Sequence, residues 1–403
     1  MAKTFNYGAG IWATKTGSSM AYNDQNDNFK PMPFSVTRDS IATRVNKQGL
    51  IEVVGQDKLR IDYKDSSKGV ALLEPSRTNY SIYSENTSTW TYTEFGSGSA
   101  GTITTGKTDM FGGTNAVQVD FPANAENVSV SFGHTLSSIS SGTVSLSLYI
   151  KLVSSGSKNL QLRANTSDII NVNSTEFVRH EVSGTKSSTE ALQLKLRPSE
   201  GTSSGGFSII ICHPQEEAGS YATSYIPTSG STVTRAADVA NGAGNEQVFN
   251  DSEGVLFANI ASNSDTTTVY NSIGIGSTSS NNRISIGFDS SSNLYVFKRT
   301  TSQWLSSTSN DIKLYNKIAI SYNTNDNHFW LNGFKIDSNN TIGDLSTKPF
   351  ELGFEATFGG NNFYGKAKEV GYYDTALTDA ELEALTSYTS FTNMANELNL
   401  TIK

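Results

Sequence analysis

Carboxylate pairs are the first residues in this chain whose type and spacing suit chemistry. They fall at Glu216-Glu217, Asp251/Glu253, Glu351/Glu355 and Asp379/Glu381/Glu383. Two carboxyl groups ~5–10 Å apart would perform acid–base cleavage of a glycosidic bond, and period-2 spacing on a strand would bring two acids to one face. The last group sits at the start of an expected helix, where acids interact favourably with the dipole while remaining solvated. Charge clusters of this kind are more often structural than catalytic, and no pair is expected to be an active site.

Nucleophiles and metal ligands give less. Cys212 and His213 are neighbours, so on a strand they are expected to point to opposite faces. Ile209-Ile210-Ile211-Cys212 reads as a buried apolar strand in which the cysteine acts as a small hydrophobe. It is the only cysteine, which excludes a disulfide framework and any Cys-based metal cluster. His134, His180 and His328 are isolated, with no H-x-x-x-H or H-x-H spacing for zinc, and no phosphate-binding P-loop is present. Asp24, Asn26 and Asn28 match the first ligands of a calcium loop, but Phe29 and Ser35 stand where Gly and Glu are required. A polar surface loop is expected there.

Two tryptophans remain as glycan or interface candidates. Trp330 alternates with Phe329 and Leu331, so it is expected on the outer face of its strand, where an indole can stack on a sugar ring or a neighbouring subunit. Trp304, in the polar run Thr300–Asn310, is the second exposed candidate. Packing beneath a loop of the same domain is the competing reading for both.

These residues must be held by elements that the composition constrains. The 403 residues hold 30 Lys and Arg against 38 Asp and Glu, a net charge of −8, which excludes a general nucleic-acid binder. Charged residues are only 17 % of the chain, while Ser, Thr and Asn fill about a third, so the surface is built from neutral hydrogen-bonding groups. An aromatic content of 10 % excludes a disordered chain. No run approaches the ~18 apolar residues of a membrane span, and Met1–Gly10 lacks the pattern of a secretory signal.

Period-2 alternation recurs at Thr143–Lys151, Leu160–Arg163, Ala191–Arg197, Arg283–Asp289, Asn293–Lys298, Lys317–Tyr322 and Phe329–Ile336. Helical periodicity appears once, at Thr378–Tyr388 and extending toward Asn399, behind a Thr378/Glu381 capping box. An all-β protein of two successive jelly-roll sandwiches is predicted, with one short C-terminal helix. By texture, residues 1–70 form a small segment with too few apolar residues for its own core, 71–228 the first sandwich, 229–247 a linker, 248–390 the second sandwich and 391–403 a tail.

Phe34-Ser-Val-Thr-Arg38, Ala42-Thr-Arg-Val45, Gly49-Leu-Ile-Glu52, Arg60-Ile-Asp-Tyr63 and Leu72–Asn79 occur in an order that resembles a module of tail and virion-surface proteins of tailed bacteriophages. Gln215–Thr228 and Val233–Asp238 resemble the segment closing the carbohydrate-binding-module-like sandwich of such proteins. Lys317–Tyr322, Phe329–Gly333 and Phe363–Glu381 are similar to the concanavalin A-like, laminin G-type sandwich, with Asn332-Gly333 suited to a tight hairpin.

These resemblances imply a non-enzymatic virion protein. Residues 1–70 would dock it to other virion proteins, and two sandwiches would project to bind host-surface polysaccharide, the chain acting as a homotrimer. They also imply a calcium ion at the rim of the second sandwich, for which no ligands can be assigned by number. A capsid-decoration, tail or neck protein that binds no glycan is the alternative. A polysaccharide depolymerase ranks behind both. No nucleic acid or membrane insertion is expected.

Overall fold

The computed structural model describes residues 5–7, 34–86, 89–94, 101–123, 128–131, 139, 142–164, 166–186, 195–199, 205–277, 281–356 and 361–397. The chain forms two compact units that interleave in sequence: Met1–Asp39, Val54–Pro75 and Ala237–Lys403 make one, Ser40–Val53 and Ser76–Ala236 the other. The calcium-loop candidate at Asp24–Asn28, the histidine at 134 and residues 191–194 of one expected strand lie outside the described residues.

The second of these units is a sandwich of two five-stranded sheets. One runs in the order Val178–Lys186, Gly142–Leu152, Phe207–Ala218, Ala116–Phe121, Thr102–Lys107, and the other Thr166–Val172, Lys158–Ala164, Lys195–Pro198, Val128–Ser131, Thr91–Glu94. Alternation decides what meets between them. Val144, Leu146, Leu148 and Ile150 point inward with Val117, Val119, Ile209 and Ile211, and meet Leu160, Leu162, Ile170 and Leu196 in one core. Burying each such side chain stabilises the fold by about 1.5–3 kcal/mol before chain entropy is counted.

The other unit packs an eight-stranded sheet on a seven-stranded one. The eight-stranded sheet runs Phe334–Asn339, Asn327–Leu331, Asn316–Tyr322, Gly254–Ser262, Gly365–Tyr373, Val70–Leu73, Arg60–Asp62, with Phe5–Tyr7 also paired to Gly365–Tyr373. In the seven-stranded sheet Gln303–Thr308, Leu294–Arg299, Arg283–Phe288 and Asn271–Gly276 follow one another, and Asn361–Asn362 and Glu351–Gly353 both adjoin the last. Ile318, Ile320, Phe329, Leu331, Leu256 and Ile260 face Ile273, Ile275, Ile284, Ile286, Leu294 and Val296 across the core. Asn332 (φ 50°) and Gly333 (φ 88°) make the two-residue turn between Leu331 and Phe334, as their types require. Helix α1, Asp379–Thr386, starts at the Thr378/Glu381 capping box and ends at Ser387; a second helix, α2, follows at Phe391–Glu397.

Residues Arg60–Asp62 and Val70–Leu73, assigned by texture to the N-terminal segment or its border, extend this unit's sheet, and Ile61, Ala71 and Leu73 lie in its core. The stretch 229–247, read as a linker, holds the short strands Val233–Arg235 and Val239–Asn241 and buries Arg235 and Asp238.

Four residues of the spaced motif, Arg38, Arg60, Glu74 and Asp238, meet in an ion cluster inside this unit. Asp238 accepts from Arg38 Nη1 at 2.7 Å, from Arg60 Nη2, and from the Glu74 amide at 2.9 Å. Arg60 Nη1 reaches Glu74 Oε2 at 2.7 Å, and all four side chains are buried. Two guanidinium and two carboxylate groups balance in charge, which is the condition for holding ions away from water.

Candidate functional site

On the strand Leu294–Arg299, Leu294 and Val296 point into the core, so Tyr295 and Phe297 stand on the outer face of the seven-stranded sheet. The register fixes their neighbours. Tyr295 lies opposite Gly287, Phe297 opposite Ser285 and Arg299 opposite Arg283. One strand further, Gly287 pairs with Ser272, Ser285 with Gly274, and Arg283 with Gly276. On the other side Phe297 faces Leu305.

Gly274, Gly276 and Gly287 place no side chain on this grid, and the larger residues beside them shape its surface. The result is a cleft of about 130 Å³ with Ser272, Ser285 and Tyr295 on its floor and Tyr270, Phe297, Leu305, Arg283 and Asn361 around them. Gly287 is required by more than space. With φ 154°, a Cβ there would sit 1.9 Å from the Asn271 carbonyl oxygen.

The floor is buried and the rim is partly exposed. Ser272 and Tyr295 join through their hydroxyls, and burial pushes the Tyr295 phenol up against the opposing pull of Ser272, Ser285 and the Arg283 charge. It therefore remains a neutral hydroxyl near pH 7. The Tyr270 ring meets Tyr295 edge-on, with centroids 5.1 Å apart at 88°. Leu305 is 47 % exposed, and Tyr270, Arg283 and Phe297 are half-buried. The Arg283 guanidinium lies 4.9 Å from the Phe297 ring centroid. Burial draws its pKa down; Tyr295 opposes that shift and the Arg299 charge adds to it. Exposed ring faces beside hydroxyls, an amide and a fixed cation form a recognition surface. No carboxyl, imidazole or thiol group is among the described lining residues.

Sequence reasoning missed this cleft, although a signal was present. Leu294-Tyr295-Val296-Phe297 is apolar on both faces, so its outer face has to be covered by the protein or by a ligand.

The expected exposure of both tryptophans is corrected. Trp330 does point away from Phe329 and Leu331, but it is only 5 % exposed because α1 lies over it, packing Leu382 and Leu385 into a cluster with Val255, Phe257 and Tyr373. Trp304 is 6 % exposed. Its segment forms the strand Gln303–Thr308 rather than a loop, and register with Lys298 turns the indole into the core, where Nε1 donates to Asp337 Oδ2 at 3.2 Å. Neither reaches the cleft.

Four of the paired acids have structural partners. Glu217 accepts from the Thr223 amide at 2.8 Å and from its hydroxyl, while burial pushes its carboxyl up. Glu253 Oε2 accepts from the Ala376 amide at 2.9 Å, Asp379 pairs with Lys335 at 2.6 Å, and Glu381 closes the capping box. Glu351 lies opposite Gly276 across the sheet and lines no part of the cleft.

Cys212 is buried as expected, and burial pushes its thiol well up. The opposite-face expectation for His213 fails. A bulge between Ser147 and Tyr149 sets His213 at φ 55°, and its ring turns into the Phe111, Tyr149 and Tyr225 group that also packs Cys212. His213 Nδ1 meets Glu85 Oε1 at 2.9 Å in that interior. Among the described residues, no three His, Cys, Asp or Glu side chains gather closely enough to hold a metal ion.

No family model matches the chain, and no curated protein matches it. Solved structures show distant similarity to carbohydrate-binding modules. The CBM40 of the Ruminococcus gnavus IT-sialidase is 13 % identical at a TM-score of 0.31, over 36 % of this chain and 94 % of that one. Domain 4 of AbnA, an extracellular arabinanase from Geobacillus stearothermophilus in complex with arabinotriose, is 16 % identical at 0.32, over 42 % and 83 %. Leech intramolecular trans-sialidase is 15 % identical at 0.31 over 36 % of this chain, which spans only 25 % of that enzyme.

Proposed function

We propose that the cleft on the seven-stranded sheet binds a saccharide, and that the chain is a non-enzymatic glycan-binding protein of a phage particle. The observation that carries the sugar reading is the grouping of half-exposed Tyr270 and Phe297 with the hydroxyls of Ser272, Ser285 and Tyr295 in one cleft. Sugars present apolar ring faces edged by hydroxyls, and that surface complements this one. A lining without a carboxyl group among the described residues supports binding over hydrolysis, since cleavage needs two such groups. The virion setting, attachment to other virion proteins through the N-terminal segment and trimeric assembly rest on the sequence resemblance.

A glycan array probed with the full chain and with Tyr270→Ala tests the reading. Binding by the wild type that falls at least tenfold in the variant is the expected result. A null across host-type polysaccharides would turn the account toward the decoration role without glycan, and binding untouched by the substitution would move the glycan site away from this cleft.

A further inference from the structure

We infer that the saccharide held in this cleft carries a carboxylate and that Arg283 is the group that grips it. The inference rests on the sugar reading and narrows it to acidic sugars.

Arg283 departs from the other enclosed arginines in bonding no oxygen among the described residues, whereas Arg77 and Arg179, whose Nε atoms are likewise buried without a partner, reach carbonyl or hydroxyl oxygens through Nη. Arg38 and Arg60 each bond a buried carboxylate, and Arg44 pairs with Glu52 at 3.1 Å. Arg283 has no acid partner among the described residues: it contacts the Phe297 ring, and its Nε is buried without a hydrogen-bond partner. Its register partner across the strand pair is Arg299, a like charge, which disfavours the pairing. A guanidinium half removed from water, beside a second one and with no anion, is a site still lacking one ligand group.

The ligand chemistry follows from the shape of the group. Guanidinium donors form a planar fork that matches the two oxygens of a carboxylate, and stacking on Phe297 restrains that plane at the cleft wall. Tyr270 then offers a ring face, and Ser285 and Tyr295 offer hydroxyls to the rest of the same sugar residue. Within a chain of net charge −8, a locally uncompensated cation also directs an acidic ligand to one place.

Calorimetric titration of the full chain with trigalacturonate and with an α-linked disialate, each beside its carboxyl-reduced twin, tests this. At least one acid form is expected to bind about 10- to 100-fold more tightly than its twin, as a charge-assisted bidentate contact provides. Arg283→Gln should remove that difference, and Arg283→Lys, which keeps the charge and most of the packing, should retain part of it. Equal affinity for acid and reduced forms overturns the carboxylate assignment and leaves the sugar site standing. No binding of either acid form overturns the assignment as well, and the glycan array then decides the sugar reading separately. A preference for acid that survives in Arg283→Gln shows that another group is responsible and also overturns it.

Discussion

Replacing Asp238 by Asn should destabilise its unit more than any surface change, because one carboxylate there serves two arginines and a backbone amide. Its side chain is 2 % exposed and accepts from Arg38, Arg60 and the Glu74 N–H. The substitution keeps size and shape but removes the carboxylate that Arg38 and Arg60 share, leaving Arg60 on Glu74 and Arg38 on the backbone carbonyls of Gly55 and Lys58, and turns an amide donor toward a guanidinium. Removing one partner of a buried ion pair costs about 3–5 kcal/mol, chiefly through the uncompensated charge. At about 2–4 °C per kcal/mol for a unit of 150–250 residues, Tm should fall by roughly 6–20 °C. Differential scanning calorimetry of the full chain at pH 7 measures this. Asp39→Asn serves as control, since Asp39 is exposed, accepts only from the Gln56 side chain among the bonds described, and should shift stability by no more than about 0.5 kcal/mol. A drop below about 2 °C for Asp238→Asn, or one no larger than the control's, would refute the claim that this buried ion cluster supports the stability of its unit.

Trp330→Ala should cost about 3–5 kcal/mol in urea unfolding by emptying the space under α1, yet leave glycan binding unchanged; lost binding in a folded variant would restore it as a contact residue. Gly287→Ala should be destabilising by at least ~2 kcal/mol in the same assay, because its methyl meets the Asn271 carbonyl; a neutral result would mean that the strand pair yields easily. Lys298 is buried with Nζ on Asn327 Oδ1 at 2.8 Å, and burial brings its pKa to about 8, below the ordinary lysine value. Between pH 8 and about 10 the unfolded chain holds this proton and the folded chain sheds it, so this residue makes stability rise with pH across that window. Lys298→Met should flatten the rise, as thermal melts at pH 7.5 and 9.5 will report, and an identical pH slope in both proteins counts against it. Cys212 should ignore a thiol reagent until guanidinium unfolds the protein, and labelling of the native chain would contradict its burial.

The sandwiches were legible in the sequence because alternation is a local property. Val144, Leu146, Leu148 and Ile150 announce a strand and its inner face without reference to any other residue. Asn332-Gly333 and the Thr378/Glu381 box were legible for the same reason, each being a few residues with one backbone solution. What escaped depends on distant partners. Arg38, Arg60 and Glu74 meet Asp238 inside one unit, and even the nearest of them in sequence, Glu74, is 164 residues from it. Trp330 was placed on the correct face, but α1, which covers it, lies some fifty residues further along, and no local pattern reveals a cover. The cleft needed cross-strand register, since Gly274, Ser285 and Phe297 become neighbours only once three strands are aligned.

The most direct test of the saccharide site is a crystal structure of the full chain with the best ligand from the array. A sugar ring lying against Tyr270 and Phe297, with its hydroxyls within hydrogen-bond reach of Ser285 or Tyr295, is the predicted result. A ligand seated on any other surface while the cleft holds only water would contradict the account.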